Sequence, residues 1–373
     1  MRASVVVFFL FLSSVLFSQQ HDSVPDSTQR KGFIYRMFFD TTAHSGLFAI
    51  PLLYYTPDTR WAYGAMGVYY FHVGGPSARL SYAKLLIDYT QNKQLDVWSS
   101  WNIFLKEESW LIKGEARYRN FPDRFYGIGN QTTSEMVERY TYDLLSMKIL
   151  GLKRIRKGMF AGADYQVLYM YKMKVAEGGI LDTAGITGVG GGLNSGFGLV
   201  FVSDQRDNVV NARTGYFFEV SSYYYRPVFG SDFNYTTLNM TFNKYIPVYK
   251  SNVVAFNSVV NLNFGNPTFI TMSQAGGDDI LRGYAKNRFR DHNFVGAQTE
   301  YRFKIWKRFG GTVFAGAGDV FRDRKDVSWN TVKYSYGAGL RYMVNRKERL
   351  NIRLDYGIGR GNSSFYIMIT EAF

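Results

Sequence analysis

The stretch Gly276–Asn293, GGDDILRGYAKNRFRDHN, gathers Arg282, Lys286, Arg288 and Arg290 beside Asp278 and Asp279. It lies in the interval Asn266–Val295, about thirty residues that follow neither a strand nor a helix pattern. Read from its residues alone, it is a basic loop whose chemistry is ionic, suited to the sugars and phosphates of lipopolysaccharide. Bond-making chemistry finds no support elsewhere. The four histidines, His21, His44, His72 and His292, lie far apart, and cysteine is absent, so no metal-ligand spacing occurs. Gly188–Gly196, GVGGGLNSG, lacks the lysine of a phosphate loop and fits no G-x-G-x-x-G pattern. No G-x-S-x-G elbow is present and no carboxylate pair stands out as an acid/base couple. We therefore expect neither an enzyme nor a cofactor.

The elements that must carry this loop alternate with period two. In Asn351–Tyr356 the side chains Ile352, Leu354 and Tyr356 point one way, and Asn351, Arg353 and Asp355 the other. Tyr334–Tyr342 repeats the pattern with Gly, Ser and Arg on its second face. Sixteen strand candidates run from 47–57 to 364–373, most of them ten residues or longer. That exceeds the roughly five or six residues of soluble strands and suits tilted strands crossing a bilayer. The four long gaps, Pro122–Arg139, Val175–Ser195, Asn266–Val295 and Arg322–Thr331, all follow odd-numbered strands, while the even-to-odd gaps are mostly short. A barrel with long loops outside and short periplasmic turns predicts that parity. Aromatic residues make up 18% of the 373, as the girdles of such a barrel require.

Residues 1–18 read as a secretory signal, with Arg2 ahead of an apolar run too short to span a membrane. Residues 19–32 read as a short periplasmic tail and 33–373 as the barrel. The fold class is thus all-β, a transmembrane antiparallel barrel of about sixteen strands. Net charge is +14, but the cations follow no helical stripe, and export removes the chain from nucleic acid. Outer-membrane lipids and lipopolysaccharide are the expected partners, with no nucleic acid among them.

Several segments resemble one family. Leu281-Arg282-Gly283-Tyr284 is similar to the signature tetrapeptide of the BamA/TamA superfamily, the bacterial surface antigen family of the Gram-negative outer membrane. Phe121–Gly129, FPDRFYGIG, and Asp204-Gln205-Arg206-Asp207-Asn208 leading to Gly215 resemble two further family elements. Gly296–Phe303, Val313–Val320, Gly337–Arg341, Arg353–Gly357 and the terminal Phe373 resemble the closing strands. The resemblance implies that the long extracellular loop folds into the lumen, with Arg282 latched to Glu300 and Tyr284 on the inner wall. A wet lumen would keep that pair weaker than a fully buried one. Two positions depart from the pattern: Ala212 stands where proline is usual, and Gly316 where an inward aspartate is usual, leaving Asp319 as a candidate second acid. Ala212 leaves the turn with less rigidity.

The resemblance further implies insertion of outer-membrane proteins, or passage of polypeptides or other substrates, through a weak seam. Its edges would be Phe48–Tyr55 and Phe365–Phe373, with the strand beyond Gly357, Gly359 and Gly361 as the mobile side. The family's usual POTRA domains find no room before the first strand, so a separate partner is expected. Nascent outer-membrane proteins and periplasmic assembly factors are the candidates, and a passive pore is the alternative.

Overall fold

A computed structural model describes residues 46–56, 60–73, 81–346 and 349–373. The signal, the tail and the first residues assigned to the barrel lie outside these. The first half of the wall comprises β1 (Gly46–Thr56), β2 (Arg60–Phe71), β3 (Ser81–Thr90), β4 (Leu95–Leu105), β5 (Trp110–Phe125), β6 (Glu138–Arg156), β7 (Met159–Lys174) and β8 (Gly192–Asp204). Then follow β9 (Gly215–Tyr225), β10 (Tyr235–Pro247) and β11 (Val253–Gly265). Two short strands, β12 (Ser273–Ala275) and β13 (Phe289–Asp291), belong to the loop after β11. The wall resumes with β14 (Asn293–Trp306), β15 (Phe309–Phe321), β16 (Lys333–Asn345), β17 (Leu350–Gly359) and β18 (Asn362–Ile369).

Sixteen strands pair antiparallel with their neighbours in chain order, while β12 pairs β13 in a sheet of its own. Among the described residues β1 and β18, the two ends of the strand order, form no ladder with one another. The partition of side chains is the reverse of a soluble sandwich. Leu145, Met147 and Ile149 on β6 and Tyr336 and Leu340 on β16 stand exposed, whereas Asn257, Gln298, Glu300, Arg302, Arg341, Arg353 and Asp355 are buried inside. Apolar out and polar in is the pattern of a strand whose outer face meets lipid. The cross-barrel contact between Tyr245 of β10 and Phe373 shows how far the sheet curls.

Two boundaries differ from expectation. Pro122 reads as a terminator, yet β5 continues through it, pairing Pro122 with Thr141 of β6. The other neighbour, β4, begins at Leu95 opposite Asn120, so beyond that point β5 has one free edge toward which a missing N–H does no harm. At the far end β18 stops at Ile369, not at Phe373. Thr370, at φ +81°, turns the chain inward, and Glu371 is buried.

Candidate functional site

The loop between β11 and β14 is a built object. Its two arms are clasped by the β12–β13 hairpin, with Ser273 opposite Asp291 and Ala275 opposite Phe289. Asn263 of β11 ties the hairpin to the wall by donating to the His292 carbonyl at 2.5 Å. Ala275, Leu281, Tyr284 and Phe289 pack with Phe294 and Val320 of the wall into one apolar cluster. This buried anchor is why a polar segment can leave the long-loop end and descend into the lumen.

At its tip Arg282 is fully buried. Its Nη1 donates to Asp355 Oδ2 at 2.8 Å, and its Nη2 lies 2.5 Å from Glu300 Oε1. The guanidinium carbon sits 3.5 Å from the centre of the Phe314 ring, stacking the planar fork on an aromatic face. Both carboxylates have further cations. Glu300 accepts from Arg302 Nε at 2.7 Å, and Asp355 takes Arg341 Nη1 at 2.5 Å and Arg353 Nη1 at 3.3 Å. Arg353 also reaches back to Asp278 of the loop, at 3.4 Å. Arg282, Glu300 and Asp355 have no solvent-exposed side-chain surface, so the expected wet, weak pair is corrected to a dry and branched one.

The backbone explains the fit. Gly283 has φ +115°, and a Cβ there would stand 2.7 Å from the Gly359 nitrogen. On the opposing wall a Cβ at Gly357 would meet the Arg282 carbonyl carbon at 2.6 Å, and one at Gly359 the Tyr284 ring at 2.5 Å. Glycine on both sides lets the loop lie flat on β17. Gly283 N–H then donates to the Tyr366 hydroxyl of β18 at 3.0 Å, and that hydroxyl donates to the Tyr284 carbonyl at 3.1 Å. The Arg360 N–H donates to the Tyr284 hydroxyl at 2.9 Å. Leu281, Arg282, Gly283 and Tyr284 thus touch β14, β17 and β18 together.

Asp355 is the acid that reading the sequence missed. The second acid is not Asp319, which has the parity opposite to Phe314 and Gly316 on β15 and sits at the long-loop end. There its carboxylate takes Asn130 Nδ2 at 3.2 Å and Lys333 Nζ at 3.5 Å. Opposite Gly316 stands Gln298, whose Nε2 donates to Asn257 at 3.1 Å and to the Asp279 carbonyl at 2.5 Å. The FYGIG element was also unassigned. Arg290 lies 5.5 Å from both the Phe125 and the Phe269 ring centres, and Arg288 donates to the Thr132 carbonyl at 2.6 Å. The β5–β6 connection therefore caps the inserted loop.

The turn motif lies at the other end. Asp204 takes Arg206 in a two-bond fork, Nε at 2.9 Å and Nη2 at 2.8 Å. Asp207 accepts from the Arg213 and Thr214 amides at 2.8 and 3.1 Å, and pairs with Arg349 of the β16–β17 turn at 2.5 Å. Burial pushes the Asp207 carboxyl up, but Arg349 and the two amides outweigh it and hold it below the usual carboxylate range. Asn208 accepts from the Val210 and Asn211 amides at 2.9 and 2.7 Å, and Gly215 closes the turn at φ +95°. Ala212, where proline was the usual residue, is buried against Tyr245, Val253 and Ala255.

Comparison with known proteins follows this geometry. Residues 168–373 match the Omp85 superfamily domain. The structure resembles BamA from Haemophilus ducreyi lacking POTRA domains 1–3, at 13% identity and TM-score 0.58, covering 88% of this chain and 69% of that one. It also resembles CdiB from Acinetobacter baumannii, at 8% identity and TM-score 0.54, covering 87% and 59% of the two chains. CdiB from Escherichia coli gives 9% identity and TM-score 0.59, with 87% and 62% covered. The chain thus spans about three fifths of either CdiB. No curated protein matches it in sequence.

Proposed function

The chain belongs to the Omp85 superfamily, and from that premise we propose that it inserts polypeptides into, or passes them across, the outer membrane of a Gram-negative bacterium. In this reading the short turns face the periplasm, the long loops face outward, and the exposed aliphatic and aromatic side chains meet outer-membrane lipid and lipopolysaccharide. The work is conformational and not enzymatic. Its seam is the β1–β18 edge, and its partners are nascent outer-membrane proteins or a periplasmic assembly factor.

One observation carries the reading. The inserted loop is bonded to the last two strands at once, through Arg282–Asp355 on β17 and Gly283–Tyr366 on β18. Displacing β18 at the seam therefore disturbs the loop, and withdrawing the loop frees β18. That reciprocal coupling suits a gate. A passive pore has no use for a plug tied to its own edge strand.

The test is reconstitution into lipid vesicles, followed by addition of a urea-unfolded outer-membrane barrel protein. Its folding is read from heat-modifiable gel mobility. We expect faster folding than in empty vesicles and co-isolation of the client with the tagged chain. Equal rates with and without the chain, together with a steady wide conductance, would establish the passive pore instead.

A further inference from the structure

At the short-turn end the lumen opens into a cavity of ≈ 450 Å³. Arg302 and Arg341 reach it from the wall, and Arg213, Lys304, Lys307 and Arg308 stand around its mouth. With Arg346 the lining holds seven cations, against which Glu371 is the one carboxylate among the described residues. Arg302 and Arg341 are more than nine-tenths buried, yet Arg302 Nη1 and Arg341 Nη2 have no hydrogen-bond partner among the described residues. Buried guanidinium protons left unpaired are costly, and an incoming anion would satisfy them.

The chain shows how a peptide engages this site. After the turn at Thr370, the Glu371 carboxylate accepts from Arg341 Nε at 2.8 Å and from Asn351 Nδ2 at 2.6 Å. Arg302 Nη2 donates to the Phe373 carbonyl at 3.0 Å, and its guanidinium lies 5.1 Å from the Phe373 ring centre. A side-chain carboxylate and the main-chain oxygen of Phe373 are thus both held by the two buried arginines. The two buried arginines, Arg302 and Arg341, face the lumen, so an anionic lipid would have to leave the bilayer to reach them.

We propose that this cavity docks an acidic, extended polypeptide segment arriving from the short-turn side. Its carboxylates take Arg302 Nη1, Arg341 Nη2 and the cations at the mouth, and Glu371 competes for the same guanidiniums. The inference stands apart from the transport reading, because its test measures binding alone.

The full chain in detergent is titrated with a fluorescein-labelled peptide of alternating Glu and Ala, followed by anisotropy. Saturable binding is expected, weakening as salt rises to about 0.5 M. The combined Lys304→Glu, Lys307→Glu and Arg308→Glu variant changes exposed positions only, and heat-modifiable mobility checks that it still folds. It should lose roughly tenfold or more in affinity, while Glu371→Gln should tighten binding. Absence of saturable binding, or unchanged affinity in the triple variant, overturns the proposal. So does displacement of the peptide by inorganic phosphate or phosphatidylglycerol vesicles at matched charge, which would make the cavity a general anion or lipid site.

Discussion

A guanidinium with no water around it needs anionic partners, and Arg282 has two carboxylates against it, Asp355 as a hydrogen-bond acceptor and Glu300 as an ion pair. The energetic consequence is unequal among the three partners. Removing Arg282 leaves Glu300 with Arg302, and Asp355 with Arg341 and Arg353. Removing Asp355 strips an acid from three arginines at once. Uncompensated buried charge costs about 3–5 kcal/mol, so Asp355→Ala should lose that much, Glu300→Ala less, and Arg282→Ala about 2 kcal/mol. Asp319→Ala should cost least of the four. Urea midpoints read by heat-modifiable gel mobility test the order, and a costliest Arg282→Ala would refute it. The Arg282/Asp355 double variant should lose less than the sum of the single losses, by roughly 0.5–3 kcal/mol. Arg282 was legible because its tetrapeptide is distinctive, and Glu300 because it alternates inward on the next strand. Asp355 sits in an equally readable RLDYG segment. Its role stayed hidden because no local pattern tells which wall an inserted loop lies against.

Elements follow from alternation wherever both neighbours hold a strand to one register. The sixteen wall strands were legible for that reason, and so was the parity of their long connections. What failed was the reach of β5 beyond residue 121, where pairing continues on one side only and Pro122 gives a misleading stop. The inward turn after Ile369 was equally silent, since it depends on arginines from β14 and β16. The β8–β9 turn is held by side chains in place of the usual proline, and that makes it sensitive to acid. The folded Asp207 carboxyl is held below its ordinary value. Its contribution is therefore present above the unfolded pKa of about 3.9 and lost as pH falls through the folded one. The pair with Arg349 is partly exposed, so the contribution is about 1 kcal/mol or less. Urea midpoints should separate wild type from Asp207→Asn at pH 7, and the gap should shrink steadily as pH falls below about 4. A gap that stays constant from pH 7 down to about pH 1 would show that the carboxylate charge is not what holds the turn.

The molecule as a whole combines a seam, a plug and an asymmetric lumen. The plug closes the long-loop side through the Arg282 cluster and its cap, while the short-turn side is lined by cations. Two independent changes should unseat the plug. Arg282→Ala removes its ionic anchor. Gly359→Leu leaves every charge in place but puts side-chain atoms where the Tyr284 ring now lies, since a Cβ alone would stand 2.5 Å from it. In planar bilayers the wild type should show a small, flickering conductance, and both variants a larger and steadier one. Charge lining a pore selects the opposite ion, so current through the unseated barrel should be carried mainly by chloride. Reversal potentials in a KCl gradient measure this directly. Reversal toward the potassium potential would mean that the cations at the mouth do not face the conducting path. Wild-type conductance in both variants would mean that the loop does not close the lumen.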